Sequence, residues 1–129
     1  MKKQLFIILG LSLILFSCHN KEDQVKEVAQ NYLEAVGNYR FEEGRVLVTD
    51  SSQIVIDWMT NFVKNMSEED KNRNLPVEIT INQVTFDKDT ALVNFDTKSP
   101  LYSNNGNVYI VRQDNGNWLV DLRKTFPKH

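Results

Sequence analysis

Asn107-Val108-Tyr109-Ile110-Val111-Arg112-Gln113-Asp114-Asn115-Gly116-Asn117-Trp118-Leu119-Val120-Asp121-Leu122-Arg123 reads as two alternating apolar runs on either side of a turn. Asn115-Gly116 accepts the positive φ angles of a two-residue hairpin turn. Such a turn sets Asp114 opposite Asn117 and Gln113 opposite Trp118. Paired residues share a face of the sheet. One face is then expected to carry Tyr109, Val111, Trp118, Val120 and Leu122. The other is expected to carry Val108, Ile110, Arg112, Leu119, Asp121 and Arg123. The first is the expected core face, and the elements upstream must pack on it.

Working backwards, the period of two continues. Val77, Ile79 and Ile81 alternate with polar residues, and then Val84 and Phe86 carry the apolar phase after a flip. A β-bulge near Asn82-Gln83 restores the facing and bends the strand. Asp87-Lys88-Asp89 is a turn, and Ala91, Val93 and Phe95 form the inward row of the next strand. Ser99-Pro100 and Asn104-Asn105-Gly106 bracket a longer loop before the hairpin. Pro76 ends whatever helix precedes it.

Ahead of Pro76 the period is helical. Val25, Val28, Ala29, Tyr32, Leu33 and Val36 lie three and four apart, and Gly37-Asn38 ends that helix. Phe41 to Val48 predicts a second, short helix, weakened by Gly44 and two valines. Asp50-Ser51-Ser52 offers N-caps for a third, whose apolar face is Ile54, Val55, Trp58, Met59, Phe62, Val63 and Met66. Ser67-Glu68-Glu69-Asp70 starts one more turn, with Ser as cap and acids on the positive helix end.

The first residues are of another kind. Lys2 and Lys3 precede an uncharged run, Leu5 to Phe16, that is shorter than the roughly 20 residues needed to cross a bilayer. It reads as the apolar region of a secretory signal. Leu15-Phe16-Ser17-Cys18 follows, and Cys18 is the chain's one cysteine. The four residues resemble a bacterial lipobox, in which the cysteine is lipidated and becomes the mature N-terminus. Acyl chains contribute about 0.8 kcal/mol per buried CH₂, so several on one residue hold a protein to a membrane durably. Lys21-Glu22-Asp23 resembles the lysine-acidic export tag of surface lipoproteins in the Bacteroidota. Read physically, it is a polar tether in which Asp23 caps the first helix. The expected organisation is a signal peptide at 1–17, a lipidated cysteine and tether at 18–23, and one α+β domain at 24–129. The expected location is the cell envelope, anchored by lipid in the outer membrane.

Charge narrows the partners. Loss of Lys2 and Lys3 lowers Lys+Arg from 15 to 13 against 17 acidic residues, a net charge of about −4. That argues against nucleic acid and against anionic membrane surfaces as partners.

The expected fold class is α+β: three N-terminal helices on a bent four-stranded antiparallel meander. This order resembles the cone-shaped nuclear transport factor 2-like (cystatin-like) superfamily. More narrowly, it is similar to small bacterial lipoproteins of unknown function with that fold. The resemblance rests on Val28 to Val36, Tyr39-Arg40-Phe41-Glu42-Glu43, Asp87 to Val93 and Asp114-Asn115-Gly116-Asn117-Trp118. These are turn and core residues and carry no catalytic information.

Chemistry is sparse. His19 stands beside Cys18 and His129 ends the chain, so neither a histidine base nor a paired-histidine metal site is expected in the domain. No phosphate-binding glycine loop occurs, and Asp87 and Asp89 lack the further acids of a calcium loop. No cofactor is expected. Asp89-Thr90-Ala91 resembles an O-glycosylation tripeptide of the Bacteroidota and is read here as a turn followed by a strand-starting Thr. Enzymes of the superfamily use an acid with Tyr or His inside the cone. That resemblance implies Asp57, with Tyr32 or Tyr109, as the pair an isomerase or dehydratase would need.

The leading expectation is a lipid-anchored binding or interaction module and not an enzyme. Its alternatives are that enzyme and an accessory protein docking a partner through its sheet. Tyr32, Trp58, Phe62, Tyr109 and Trp118 are expected to converge inside the cone, where they either fill the core or line a pocket for a small apolar molecule. Val108, Ile110 and Leu119 are expected on the far face of the hairpin, covered by a partner or a second copy.

Overall fold

The computed structural model describes residues 20–125. Cys18, His19, His129 and the rest of the signal-like segment lie outside them. The helix α1 spans Lys21–Gly37 and begins at Asn20, whose Oδ1 accepts from the Asp23 N–H at 2.8 Å. The cap is therefore Asn20 and not Asp23, which sits with Glu22 in the first turn, where acids suit the positive helix end. The helix α2 spans Phe41–Arg45. It stops short of the expected Val48 because that residue makes a parallel bridge to Val120 instead. A 3₁₀ turn at Asp50–Ser52 leads into α3, Gln53–Lys64. Ser67 caps α4, Glu68–Arg73, by accepting from the Asp70 N–H at 3.1 Å.

Four antiparallel strands follow in the order β1-β2-β3-β4: Glu78–Asp87, Thr90–Lys98, Ser103–Arg112 and Trp118–Asp121. The register of β1 on β2 shifts between Ile81 and Gln83, where the change of apolar phase predicts a bulge. A short helix α5, Leu122–Thr125, takes over where the hairpin was expected to continue as strand.

The final hairpin differs from its expected register by one residue. Arg112, not Gln113, is opposite Trp118, and Ile110 is opposite Val120. Three residues, Asp114-Asn115-Gly116, make the loop. Gln113 N–H donates to Asn117 O at 2.7 Å, Gly116 N–H to Gln113 O at 2.9 Å, and Asn117 N–H to Asn115 Oδ1 at 2.9 Å. Gly116 takes φ +88°, the left-handed residue that closes a three-residue hairpin loop. One extra loop residue moves every β3 side chain to the opposite face from that expected. Val108 and Ile110 are buried in the core with Trp118, Val120 and Leu122, while Tyr109, Val111 and Leu119 lie on the outer face, half-buried.

The core forms where Val25, Ala29 and Tyr32 of α1 meet Ala91, Val93, Val108, Ile110 and Val120 of the sheet. The helix also covers the free edge of β1. Gln30 Nε2 donates to Ile79 O at 3.0 Å. Asn38 exchanges two bonds with Val77, its Nδ2 donating to the carbonyl at 3.1 Å and its Oδ1 accepting from the N–H at 3.0 Å. Side-chain amides thus satisfy strand-edge groups that would otherwise be open to another chain. The segment before α3 is fastened to β4 and α5: Thr49 N–H donates to Val120 O, and Leu122 N–H donates to the buried Ser52 Oγ, each at 2.9 Å.

Candidate functional site

The concave side of the sheet and α1 do not close completely. Between the C-terminal half of α1 and the sheet lies an open cleft of about 220 Å³. Tyr32, Leu33 and Val36 form one wall, Phe95 the floor, Met59 of α3 the roof and Tyr102 the exposed rim. Its floor depends on Gly106. A Cβ there would come within 2.9 Å of Phe95 Cζ, so the missing side chain is what lets the Phe95 ring lie across the neighbouring strand. No charged residue lines the cleft.

Tyr32 is the polar group of that wall. Its side chain is 3% exposed. Burial raises its pKa well above the ordinary phenol value of 10.0, so the hydroxyl keeps its proton.

The five aromatics expected inside the cone do not converge. Tyr32 lines the cleft, as expected of an inward residue on α1. Trp118 is buried at the other end of the sheet, edge-on to Phe86 at 5.8 Å, with Lys21 Nζ 4.4 Å above the Phe86 ring. Tyr109 points to the outer face under Lys124, whose Nζ lies 6.0 Å from its ring, because of the hairpin register. Trp58 and Phe62 are 63% and 64% exposed and stack on each other at 5.9 Å along the outside of α3. The apolar stripe of α3 is wider than its contact. Ile56 is buried and Val55, Met59 and Val63 are half-buried, but Ile54, Trp58 and Phe62 are left outside. The expected docking face of Val108, Ile110 and Leu119 likewise does not exist as one surface. Two of the three are core, and the apolar outer set is Leu92, Tyr109, Val111 and Leu119, neighbours across β2, β3 and β4.

The acid/base pair implied by resemblance is not assembled. Asp57 is exposed and its carboxylate is 2.8 Å from Arg45 Nη2; the same guanidinium bonds Glu42, and its Nη1 donates to Gln53 Oε1 at 3.1 Å. These contacts raise the Arg45 pKa further, with the Glu42 hydrogen bond the largest cause and Asp57 next. Arg45 joins α2 to α3 and holds Asp57 outside the cleft. Residues that periodicity did not single out as site residues, Leu33, Val36, Met59, Phe95 and Tyr102, make the cleft. The signal for Phe95 was the glycine facing it across the strands, a pairing that depends on register.

Elsewhere, Asn82, Asn94, Asn105 and Asn107 form an amide ladder on the outer face. Asn94 Nδ2 donates to Asn105 and Asn107 Oδ1 at 3.0 Å, and Asn105 Nδ2 to Asp96 Oδ1 at 2.8 Å. Among the described residues no group of three or more His, Cys, Asp or Glu is placed to hold a metal ion. Nor is any helix among them long and apolar enough to cross a membrane.

No family model matches the chain, and no curated protein matches it significantly. Among solved structures it is similar to a Campylobacter jejuni protein described provisionally as an NTF2-like transpeptidase. The TM-score is 0.57 at 19% identity, over 74% of this chain and 95% of that one. With helices packed on one face of a bent four-strand meander, the chain has the nuclear transport factor 2-like fold.

Proposed function

We propose that this chain is a binding module of the cell envelope, tethered through lipid on Cys18, whose cleft takes a small apolar molecule. The cleft carries the reading: it is roofed by α3, walled by α1, mostly apolar apart from Thr97, Asn107 and two tyrosines, and free of charged side chains. Such a lining suits retention of an apolar guest more than bond-making chemistry.

The tether adds direction. Only His19 separates Cys18 from the Asn20 cap, a step of about 7 Å at full extension. A lipid on Cys18 therefore holds the start of α1 close to the membrane surface. The cleft residues of that 17-residue helix, Tyr32 to Gly37, lie about 17–24 Å along it from Lys21 at 1.5 Å per residue. The guest would enter from the aqueous side.

The word transpeptidase, attached to the Campylobacter jejuni protein, supports a second reading as an enzyme. Acyl transfer through a covalent intermediate needs a nucleophile beside a base. Every histidine and the one cysteine of this chain lie outside residues 20–125. Ser52, the one buried serine among the described residues, is bonded to Thr49 Oγ1 at 2.7 Å and to the Leu122 N–H. The binding reading accounts for the cleft with fewer added parts.

Cys18→Ala tests the anchor. The full chain should move from the membrane fraction to the soluble fraction or persist with an unprocessed signal, and it should lose incorporation of labelled fatty acid. Unchanged labelling and membrane recovery would refute the tether.

A further inference from the structure

We propose that the outside of α3 is the seam of a homodimer, in which the row Ile54, Trp58 and Phe62 packs antiparallel on the same row of a second copy. The pairing uses no residue of the cleft and goes beyond the binding reading.

Size and charge carry it. The three residues lie four apart, so they form one ridge along the helix. They are 66%, 63% and 64% exposed. An aromatic side chain has about 150–250 Å² to bury, so the two rings alone present about 200–330 Å². With Ile54 the row reaches the size of the largest apolar patch on an ordinary monomer, about 300–600 Å². Two copies face to face cover about twice one row, which is at or below the roughly 1,200 Å² where stable interfaces begin. The dimer is therefore weak and reversible. It is mostly monomer in a dilute titration, and it fills where copies share one membrane through Cys18, because the tether raises their local concentration.

Charge fixes the orientation. Asp57 and Lys64 are seven residues apart, about two turns, and so lie on one flank of the ridge. Asp57 and Glu42 share Arg45, two carboxylates on one guanidinium, so that end of the flank is acidic. At the other end Lys64 is exposed and forms no ion pair among the described residues. A twofold axis midway between Trp58 and Phe62 sets each Trp58 against Phe62 of the second copy. It also brings Lys64 of one copy to within one residue, about 1.5 Å along the helix, of the level of Asp57 in the other. A parallel pair would set Lys64 against Lys64, so the flank selects the antiparallel one. A membrane surface is the poorer occupant. Interfacial helices carry several Lys or Arg on their polar face, whereas α3 has one Lys and an Asp on the same flank.

The test is photo-crosslinking in intact cells that make the full chain. A photoreactive amino acid replaces Asn61, which is exposed beside the row, or Thr85, which is exposed on the outer face of the sheet opposite Leu92. Position 61 should give an adduct of twice the chain's mass, and position 85 should not. Lys64→Asp should lower that adduct about three- to tenfold, because each symmetric pair loses one exposed contact twice. Asp57→Lys in the same chain should restore it to within about twofold, since the swapped charges meet again. Trp58→Ser should abolish it without moving the urea midpoint of the isolated chain by more than the exposed ring allows. Membrane recovery is scored separately. If Cys18 carries no lipid, recovery and all adduct yields fall together while the ratios between variants stand.

A self-adduct from position 85 and not from position 61 would place the dimer on the sheet and overturn the seam. An adduct at position 61 with lipid alone, or with a protein of another mass alone, gives the row a different occupant and overturns it too. Equal yields from Lys64→Asp and the charge-swapped chain would refute the antiparallel register, and no adduct at position 61 would refute the dimer.

Discussion

The helices α1 and α3 carry apolar stripes of similar length, and the stripe on α3 is the more hydrophobic of the two. Their fates are opposite. Val25, Ala29, Tyr32 and Ala35 of α1 are all buried, whereas Ile56 is the one buried residue of α3. The alanines of α1 let its backbone approach the sheet, and Gln30 and Asn38 use the polar flank to bond the edge of β1. The helix α3 is fastened at its root, through Ser52 and Ile56, and at its flank, through Arg45. Beyond that its main neighbour is α2 and it touches the sheet sparsely. A helical stripe records that one side is apolar. Whether that side is covered depends on how much surface the neighbours present.

The largest expected break in this comparison is Tyr32→Ala. It removes a buried ring from the joint between α1 and the sheet and should cost about 3–5 kcal/mol, read as a shift of the urea midpoint. A loss below about 1 kcal/mol would mean that α1 does not carry the core.

Ser52→Ala should come next. It takes the acceptor from the buried Leu122 N–H and the partner from Thr49, and should cost about 1–3 kcal/mol. A neutral result by denaturant titration would show that the root of α3 is held by apolar contact alone.

Tyr32 also predicts a pH dependence. Its folded pKa is raised above the ordinary 10.0, so its contribution is intact below pH 10. Above pH 10 the unfolded chain ionises while the fold keeps the proton. Stability then falls by up to about 1.4 kcal/mol per pH unit. Urea midpoints between pH 8 and 11 should show this slope in the parent and a shallower one in Tyr32→Phe. Parallel slopes would place the titration elsewhere.

What was legible in the sequence follows the same division. The succession of helices and then a four-strand meander, the bulge at Asn82, the Ser67 cap and the inward rows Ala91-Val93 and Trp118-Val120-Leu122 all rest on local pattern, and local pattern delivers them, though not the closing helix α5. The faces of β3 did not, because Asn115-Gly116 fits a two-residue turn as well as the end of a three-residue loop, and the choice inverts Val108 against Tyr109. The cleft was legible only in Tyr32. Its other walls come from Phe95 lying over Gly106 and from Met59 reaching across α3, contacts between residues far apart in the chain. Trp58 and Phe62 were misplaced for the reason that separates the two helices: their spacing matches the core stripe, and no surface comes to meet them.

The smallest expected effect is Trp58→Ala, and it sharpens the comparison most. Were Trp58 core, truncation would cost about 3–5 kcal/mol, as for Tyr32. Its position on the outer face of α3, with Phe62 as its stacking partner, leaves little to lose. An aromatic pair adds about 0.5–1.5 kcal/mol beyond burial, and an exposed one lies at the low end of that range. The expected loss is therefore about 0.5 kcal/mol, with cleft binding unchanged, since Met59 and not Trp58 forms the roof. The Trp58→Ala and Tyr32→Ala changes, measured side by side in one titration series, separate a covered stripe from an uncovered one. Equal losses would mean that α3 is buried in solution by a surface that these residues do not include.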